Sequence, residues 1–237
     1  MEIAGAVKVL RNPATIQSNK KLKDLNIVSP NFLRSSGKLV LASVFMTLLI
    51  GCSDSSLERA KVLYDKGDYA SARSLLEQSC ANGVPAGCNY LGTMYAQALG
   101  VSQNEVRARA LFDQACTGGN ASGCSNLGFM FSVGRGGSKN EGRGRQLLEQ
   151  SCKAGDAGGC ANLGALVANG IGGNKDIVRA ANLSEQSCNN GNSIGCHNLG
   201  NAFERGYGVK IDKTKAQQLY SKSCKMGYSQ ACVRLSS

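Results

Sequence analysis

The stretch SCKAGDAGGCANLG, residues 151–164, decides the fold. It places Cys152 and Cys160 eight positions apart, with three glycines between them. Self-similarity at a fixed period of roughly 20–50 residues is typical of solenoids, so the chain is predicted to stack repeats. The same cysteine spacing occurs five times, each pair 36 residues after the last: Cys80 and Cys88, Cys116 and Cys124, Cys152 and Cys160, Cys188 and Cys196, and Cys224 and Cys232.

Other positions keep the 36-residue period and predict a first helix, helix A, in each repeat. Cys124, Leu127, Gly128 and Phe131 follow the i, i+3, i+4, i+7 spacing of one helical face. The leucine recurs at Leu91, Leu127, Leu163, Leu199 and Leu235. Glycine follows the first four of these leucines, which indicates that helix A lies close to a neighbouring helix.

A second helix, helix B, is predicted to follow in each repeat. It starts at an asparagine or aspartate, whose side-chain oxygen can accept a hydrogen bond from a free backbone amide. It ends at the first cysteine of each pair, and a glycine three residues later suits a left-handed helix end. The capping residues are Asn104, Asn140, Asp176 and Asp212, and a small residue at the helix crossing recurs as Ala108, Gly144, Ala180 and Ala216.

The predicted fold is an all-α, right-handed solenoid of antiparallel helix pairs. The solenoid spans residues 57–237 and follows a short linker over residues 52–56. It starts with an N-terminal hairpin and ends with a terminal helix, and four full repeats lie between them. The predicted bounds are 56–80 for the hairpin, about 86–117, 122–153, 158–189 and 194–225 for the repeats, and 229–237 for the terminal helix.

Residues 1–51 are predicted to be an N-terminal extension and a lipoprotein-type signal peptide. Residues 39–51 form an apolar run that follows Arg34 and Lys38. This run is shorter than the ~20 residues of a membrane-spanning helix, and its charged flank is typical of a signal peptide. Translation is expected to start near Leu33; a cleaved or disordered extension over residues 1–32 is the alternative.

The end of the apolar run resembles a bacterial lipobox, Leu49-Ile50-Gly51-Cys52. The resemblance implies that Cys52 carries a lipid and becomes the mature N-terminus. It also accounts for the odd cysteine among the 11 in the chain. The protein is therefore expected to be exported, as a periplasmic or outer-membrane lipoprotein; secretion in soluble form, with Cys52 free or removed, is the alternative.

The fourth repeat, NLGNAFERGYGVKIDKTKAQQLYSKSCKMG at residues 198–227, resembles the Sel-one-like repeat, a relative of the tetratricopeptide repeat. The shared features are Leu-Gly, a Gly-x-Gly loop and Asp-x-x-Lys-Ala. The added cysteine pair in each repeat makes the chain similar to the Helicobacter cysteine-rich protein family. The resemblance covers about residues 57–237 and departs at Ala98, where the loop glycine is missing, and at Gly144, which stands in place of alanine.

The cysteine pairs are predicted to form structural disulfides. A zinc site needs four ligands at short spacings, a redox pair favours Cys-x-x-Cys, and a nucleophilic cysteine needs a histidine base. The chain has no Cys-x-x-Cys, and His197 is its single histidine. In an exported protein paired cysteines normally form disulfides, and here each would join the end of helix B to the next helix A. No metal and no cofactor are predicted.

Helix A is predicted to line a ligand-binding groove. By resemblance to tetratricopeptide arrays, the residue before the repeated leucine faces the concave side. Its asparagine amide could bind a peptide main chain, since it both donates and accepts hydrogen bonds. The alternative is that the asparagines bond adjacent repeats and hold their stacking. The predicted groove residues are Tyr90, Asn126, Asn162, Asn198 and Arg234, with Asn89, Thr93, Ser125, Phe129, Asn169, His197, Asn201 and Arg205 beside them.

These observations predict an exported scaffold that binds peptides, proteins or peptidoglycan fragments. The alternative is a β-lactamase, because the cysteine-rich family is described as penicillin-binding. Serine β-lactamases need Ser-x-x-Lys with Ser-Asp-Asn and Lys-Thr-Gly. No Ser-x-x-Lys follows Cys52, so the catalytic residues are unknown.

Charge and composition narrow the range of partners. Residues 1–52 hold seven of the 27 Lys and Arg residues and two of the 16 Asp and Glu residues, which leaves a net charge of +6 on the rest. This excess of positive charge is small and is not clustered, unlike the basic surface of a nucleic-acid-binding protein. The protein is expected to be a monomer, without nucleic acid, held at a membrane through its N-terminal lipid.

Overall fold

The computed structural model describes residues 55–235, and the regular structure in that range is helical throughout. The predicted signal peptide and Cys52 lie outside the described residues. The helices are α1 over residues 55–65, α2 Tyr69–Ala81, α3 Pro85–Gln97, α4 Glu105–Thr117, α5 Ala121–Val133, α6 Glu141–Lys153, α7 Ala157–Asn169, α8 Ile177–Asn189, α9 Ser193–Arg205, α10 Lys213–Lys225 and α11 Ser229–Val233.

The helices form two layers. From α2 to α11 each helix packs on the next one in the chain, and the A helices α3, α5, α7 and α9 also contact one another in succession. Among the described residues, the B helices α2, α4, α6, α8 and α10 make at most marginal contacts with one another. The A helices therefore form the closely spaced inner layer. The predicted all-α solenoid with one disulfide per repeat is confirmed.

Side-chain caps set the helix starts. The predicted caps of helix B are present: Asn104 Oδ1 accepts from the amide of Arg107 at 2.9 Å, and Asp176 Oδ1 accepts from that of Arg179 at 2.8 Å. A second set, which the sequence analysis did not identify, caps helix A through Asn120, Asp156 and Asn192. In the first full repeat α3 has no side-chain cap and instead starts with Pro85 after Val84. All helices from α3 to α10 have 13 residues.

Five disulfides join the last turn of each B helix to the first turn of the next A helix. Their Cα–Cα distances lie between 4.4 and 4.8 Å. They connect Cys80 to Cys88, Cys116 to Cys124, Cys152 to Cys160, Cys188 to Cys196 and Cys224 to Cys232. A solenoid's cooperativity depends on contacts between neighbouring repeats, and these bridges lie at those contacts.

The repeated glycine of helix A brings the two helices of a repeat close together. A Cβ atom at Gly128 would lie 2.9 Å from the carbonyl oxygen of Gly144, and one at Gly144 would lie 2.7 Å from that of Gly128. In other repeats the glycine accommodates an aromatic ring, as Gly92 does for Phe112 and Gly200 for Tyr220. The glycine on helix A thus leaves space for the residue of helix B that packs on it, and that residue differs between repeats.

Ala98 adopts the conformation of the glycine that it replaces. Its φ is 58°, in the left-handed region, and it ends α3 with a hydrogen bond from its own amide to the carbonyl of Met94. Gly134, Gly170 and Gly206 end the other A helices with φ of 78°, 71° and 72°. The loop keeps its shape in the first repeat although an alanine is strained there.

Candidate ligand-binding groove

The predicted groove residues form one row on the inner layer. Tyr90, Asn126, Asn162 and Asn198 are each the sixth residue of their A helix, and all four are half-buried. Because these helices contact one another in succession, the row crosses the inner layer from α3 to α9. The row lies outside two depressions on the surface, of about 610 and 530 Å³, which are lined mainly by residues of other faces.

Asn126 is bound within the solenoid. Its Nδ2 donates to Oδ1 of Asn89, one repeat earlier, at 2.9 Å. Thr93 Oγ1 in turn donates to the carbonyl of Asn89 at 3.0 Å. For this asparagine the structure shows the stacking bond that the sequence analysis gave as the alternative to ligand binding.

Asn162 and Asn198 differ from Asn126 in this respect. Within residues 55–235 their side-chain amides have no hydrogen-bonding partner. The residues that correspond to Asn89 in the preceding repeats are Ser125 and Ala161. Ala161 has no polar side-chain atom, so Asn198 cannot form the Asn126 type of bond. The two amides are half-buried, with their hydrogen-bonding capacity unused.

The N-terminal end of the row is aromatic. The Tyr90 ring lies 5.2 Å from that of Tyr64, edge to face, and Tyr64 packs in the same way on Tyr69 at 5.3 Å. Burial raises the pKa of Tyr90, and burial raises the pKa of Tyr64 to about 12. These phenols therefore stay neutral, and the inner layer offers apolar edges at this end.

The C-terminal end of the row is polar and charged. Asn201 Oδ1 accepts a hydrogen bond of 2.8 Å from the Tyr220 hydroxyl, which also lies 3.1 Å from Glu204 Oε2. Arg205 and Arg234 approach the same Glu204 oxygen, at 3.9 and 3.8 Å. Glu204 and Tyr220, which were not identified from the sequence, contact these predicted residues.

His197 packs between two tyrosine rings at this end. Its ring lies 5.4 Å from Tyr220 and 5.1 Å from Tyr228, and its Nδ1 is buried with no hydrogen-bonding partner among the described residues. Burial lowers the pKa of His197; the charge of Arg234 lowers it further, and Glu204 opposes both. The imidazole is therefore neutral at pH 7.

The remaining predicted residues are dispersed. Phe129 is half-buried on α5 beside Asn126, and Ser125 is buried. Asn169 is exposed at the end of α7, where its Nδ2 donates to the Ala165 carbonyl at 2.8 Å. In residues 55–235, no three His, Cys, Asp or Glu side chains cluster as metal ligands would.

The repeats identify the family. The Sel1 repeat model matches residues 85–120, 121–156, 157–192 and 193–228, more than half of the chain. The chain therefore belongs to the Sel1 repeat family. Proteins of this family are typically scaffolds that bind other proteins. A search of the curated proteins found no match.

Two solved structures with a similar fold support this assignment, and a third is similar over part of this chain. A protective antigen of uropathogenic Escherichia coli has a TM-score of 0.63 and 25% identity, over 78% of this chain and 40% of that one. A Sel1 repeat protein from Oxalobacter formigenes gives 0.60 and 27%, over 76% and 74%. Cysteine rich protein B of Helicobacter pylori gives 0.46 and 27%, over 56% and 96%. This chain thus spans 40% of the length of the E. coli antigen.

The disulfides also bear on where the protein folds. Five bridges in consecutive repeats indicate an oxidising location, extracellular or periplasmic. None of the helices in residues 55–235 has both the length and the apolar composition needed to cross a bilayer.

Proposed function

We propose that this protein is an exported repeat scaffold that binds an extended peptide along the inner layer of A helices. The peptide can be a segment of another protein or the peptide part of a cell-wall fragment. The observation that carries this proposal is that the side-chain amides of Asn162 and Asn198, on successive A helices, have no partner among residues 55–235. A half-buried amide that lacks a protein partner can pair with a backbone N–H and C=O of a ligand.

The spacing of the row suits an extended ligand. Asn162 and Asn198 occupy the same position on adjacent A helices, and packed helices lie roughly 8–10 Å apart. A peptide in extended conformation advances about 3.3 Å per residue, so each asparagine could meet the main chain about three residues after the previous one. Such hydrogen bonds would bind the main chain of the peptide whatever its side chains are. Arg205, Arg234 and the aromatic cluster at Tyr90 would then add selectivity at the two ends.

A pull-down from solubilised cell envelope tests this proposal. The oxidised protein is immobilised in three forms: unaltered, with Asn162→Ala and Asn198→Ala, and with Gln146→Ala and Gln150→Ala. The last pair is exposed on α6, a B helix, and serves as the matched control. Two hydrogen bonds of about 1 kcal/mol each predict that the asparagine variant binds the partner about 30-fold more weakly. Equal capture by all three forms would contradict the proposal.

We further propose that the protein is a lipoprotein anchored through Cys52. The supporting observations are the lipobox-like Leu49-Ile50-Gly51-Cys52 and the five disulfides, which need an oxidising compartment. Palmitate labelling of cells that produce the protein tests the anchor. Label should appear in the unaltered chain and disappear with Cys52→Ser. Label that persists in the variant would contradict the anchor but leave the peptide-binding proposal standing.

A further inference from the structure

An exposed apolar patch lies where the third and fourth repeats meet. Ile177 and Val178 start α8 and are 42% and 55% exposed. Tyr207 and Ile211, in the loop between α9 and α10, are 51% and 58% exposed. None of these four residues belongs to the candidate groove.

The four side chains belong to one surface because the loop packs on the start of α8. A Cβ atom at Gly208 would lie 2.8 Å from the Cα atom of Val178, so the loop backbone rests on the first turn of that helix. A Cβ atom at Gly206 would lie 2.9 Å from Cγ1 of Ile211. The end of the loop therefore lies close to its start. We call Ile177, Val178, Tyr207 and Ile211 the apolar edge.

Three of these four positions carry a charge in an earlier repeat, whereas Val178 corresponds to Val106 and Gly142, which are uncharged. Glu105, which corresponds to Ile177, pairs with Arg135, which corresponds to Tyr207, at 2.7 Å. Lys139, which corresponds to Ile211, pairs with Glu141 at 2.6 Å. The same fold is therefore made with charged side chains at this edge in earlier repeats. Packing alone does not require apolar residues here, and water contact opposes them.

Unpaired lysines surround the apolar edge. Lys175, Lys210 and Lys213 are exposed and form no ion pair within residues 55–235. Two carboxylates lie beside these lysines in the sequence, Asp176 and Asp212, and each caps a helix by accepting from the amide of Arg179 or Lys215 at 2.8 Å. Both keep their negative charge, so the three lysines exceed these carboxylates by one positive charge. The surface therefore combines apolar side chains with a positive rim.

We propose that the apolar edge docks on an anionic lipid bilayer. Ile177, Val178 and Ile211 would enter the boundary between headgroups and acyl chains, and Tyr207 would sit at headgroup level, where tyrosine is favoured. The lysine rim would face the negative lipid headgroups. Protein partners usually anchor side chains in pockets, whereas a fluid bilayer accepts an exposed edge of helix ends and loop residues. This docking is independent of the groove and of a lipid on Cys52.

The absence of tryptophan from the chain allows a clean test. The full chain with Tyr207→Trp carries one tryptophan, within the apolar edge. Its emission should shift to shorter wavelength with vesicles of phosphatidylglycerol and phosphatidylcholine, and not with phosphatidylcholine alone. The control is Val106→Trp, at the start of α4, where Val106 is 69% exposed and corresponds to Val178. Its emission should not shift, even if residues 39–51 bring the chain to the vesicle.

A second variant tests the lysine rim in the Tyr207→Trp background. Replacing Lys175, Lys210 and Lys213 with glutamine should weaken binding to the anionic vesicles by about 100-fold, at about 1 kcal/mol per lysine. Circular dichroism checks that the helices remain. The proposal is overturned if the Tyr207→Trp emission does not respond to anionic vesicles, if the emission of both tryptophan variants shifts equally, or if the glutamine variant binds unchanged. A response to polyglutamate but not to vesicles would also overturn it, in favour of an acidic protein partner.

Discussion

Asn126 donates its side-chain amide to Asn89 at 2.9 Å, and this bond joins helix A of the second repeat to helix A of the first. The two residues are 37 positions apart, one more than the repeat period. In the third and fourth repeats Asn162 and Asn198 occupy the position of Asn126, but Ser125 and Ala161 occupy that of Asn89. One repeated asparagine thus has two different environments in the same solenoid.

This difference predicts unequal effects of two alanine substitutions on stability. Asn126→Ala should lower the free energy of unfolding by about 1 kcal/mol, because it leaves the half-buried Asn89 oxygen without its partner. Asn198→Ala should change it by less than about 0.5 kcal/mol, since no bond is lost. Urea denaturation of the oxidised protein measures both. Equal losses would mean that both asparagines serve the stacking of repeats.

Two glycines on α6 should respond to alanine in opposite directions. Gly144→Ala restores the residue found at the corresponding position of the other repeats, yet it should cost about 1–3 kcal/mol, because the new methyl group would overlap the Gly128 carbonyl. Gly142→Ala should stabilise by about 0.5 kcal/mol, because its Cβ atom would meet nothing closer than 3.8 Å and alanine favours the helix. Thermal unfolding of both variants measures these changes in stability. A stabilising Gly144→Ala would show that the helices can separate without cost.

The left-handed Ala98 should be improved by glycine. Ala98→Gly removes the steric penalty of a Cβ atom at φ 58° and should stabilise by about 1 kcal/mol. The reverse change in the next repeat, Gly134→Ala, should destabilise at least as much, since its Cβ atom would also lie 3.1 Å from that of Lys139. Urea denaturation measures both changes. A destabilising Ala98→Gly would contradict the strain assigned to this position.

Each disulfide should contribute measurably to stability. Replacing Cys152 and Cys160 together with alanine removes one bridge that closes a short loop of sequence separation 8. The entropy of loop closure predicts a loss of about 2–3 kcal/mol. Guanidinium denaturation of the variant, with the other four bridges confirmed by mass spectrometry, measures it. A loss below about 0.5 kcal/mol would show that packing between repeats suffices at this junction.

His197 should make the stability depend on pH. The folded-state pKa of His197 lies below the unfolded value of about 6.5, so the unfolded chain binds the proton more readily. The stabilisation is therefore fully present above pH 6.5 and is lost as the pH falls through that value towards the folded pKa. Melting temperatures at pH 8 and pH 5 should differ less for His197→Gln than for the unaltered chain. An identical pH dependence in both would contradict the lowered pKa.

The sequence predicted the features that depend on short separations. The five disulfides span eight residues each, and the caps at Asn104, Asn140, Asp176 and Asp212 act on amides three residues ahead. Such features can be recognised from the spacing of residues in the sequence, and the same spacing recurs in every repeat. The caps of helix A obey the same rule and could have been found at Asn120, Asp156 and Asn192. The glycines that follow them weakened the helical pattern there.

Features that depend on contacts between repeats could not be predicted from residue spacing. The sequence placed Asn126, Asn162 and Asn198 in equivalent positions, and nothing in their spacing separates the bonded one from the other two. His197 between Tyr220 and Tyr228, and Glu204 near two arginines, depend on side-chain directions at the end of the solenoid.

The sequence by itself therefore determined the repeat, its two helices, their caps and the disulfides, because each arises within one repeat or at the junction with the next. The tertiary structure decided which asparagine amides lack a partner within residues 55–235, how closely Gly128 and Gly144 approach, and where the apolar edge forms. These outcomes depend on the side chains that neighbouring repeats bring together. A period identical in every repeat carries no information about those neighbours.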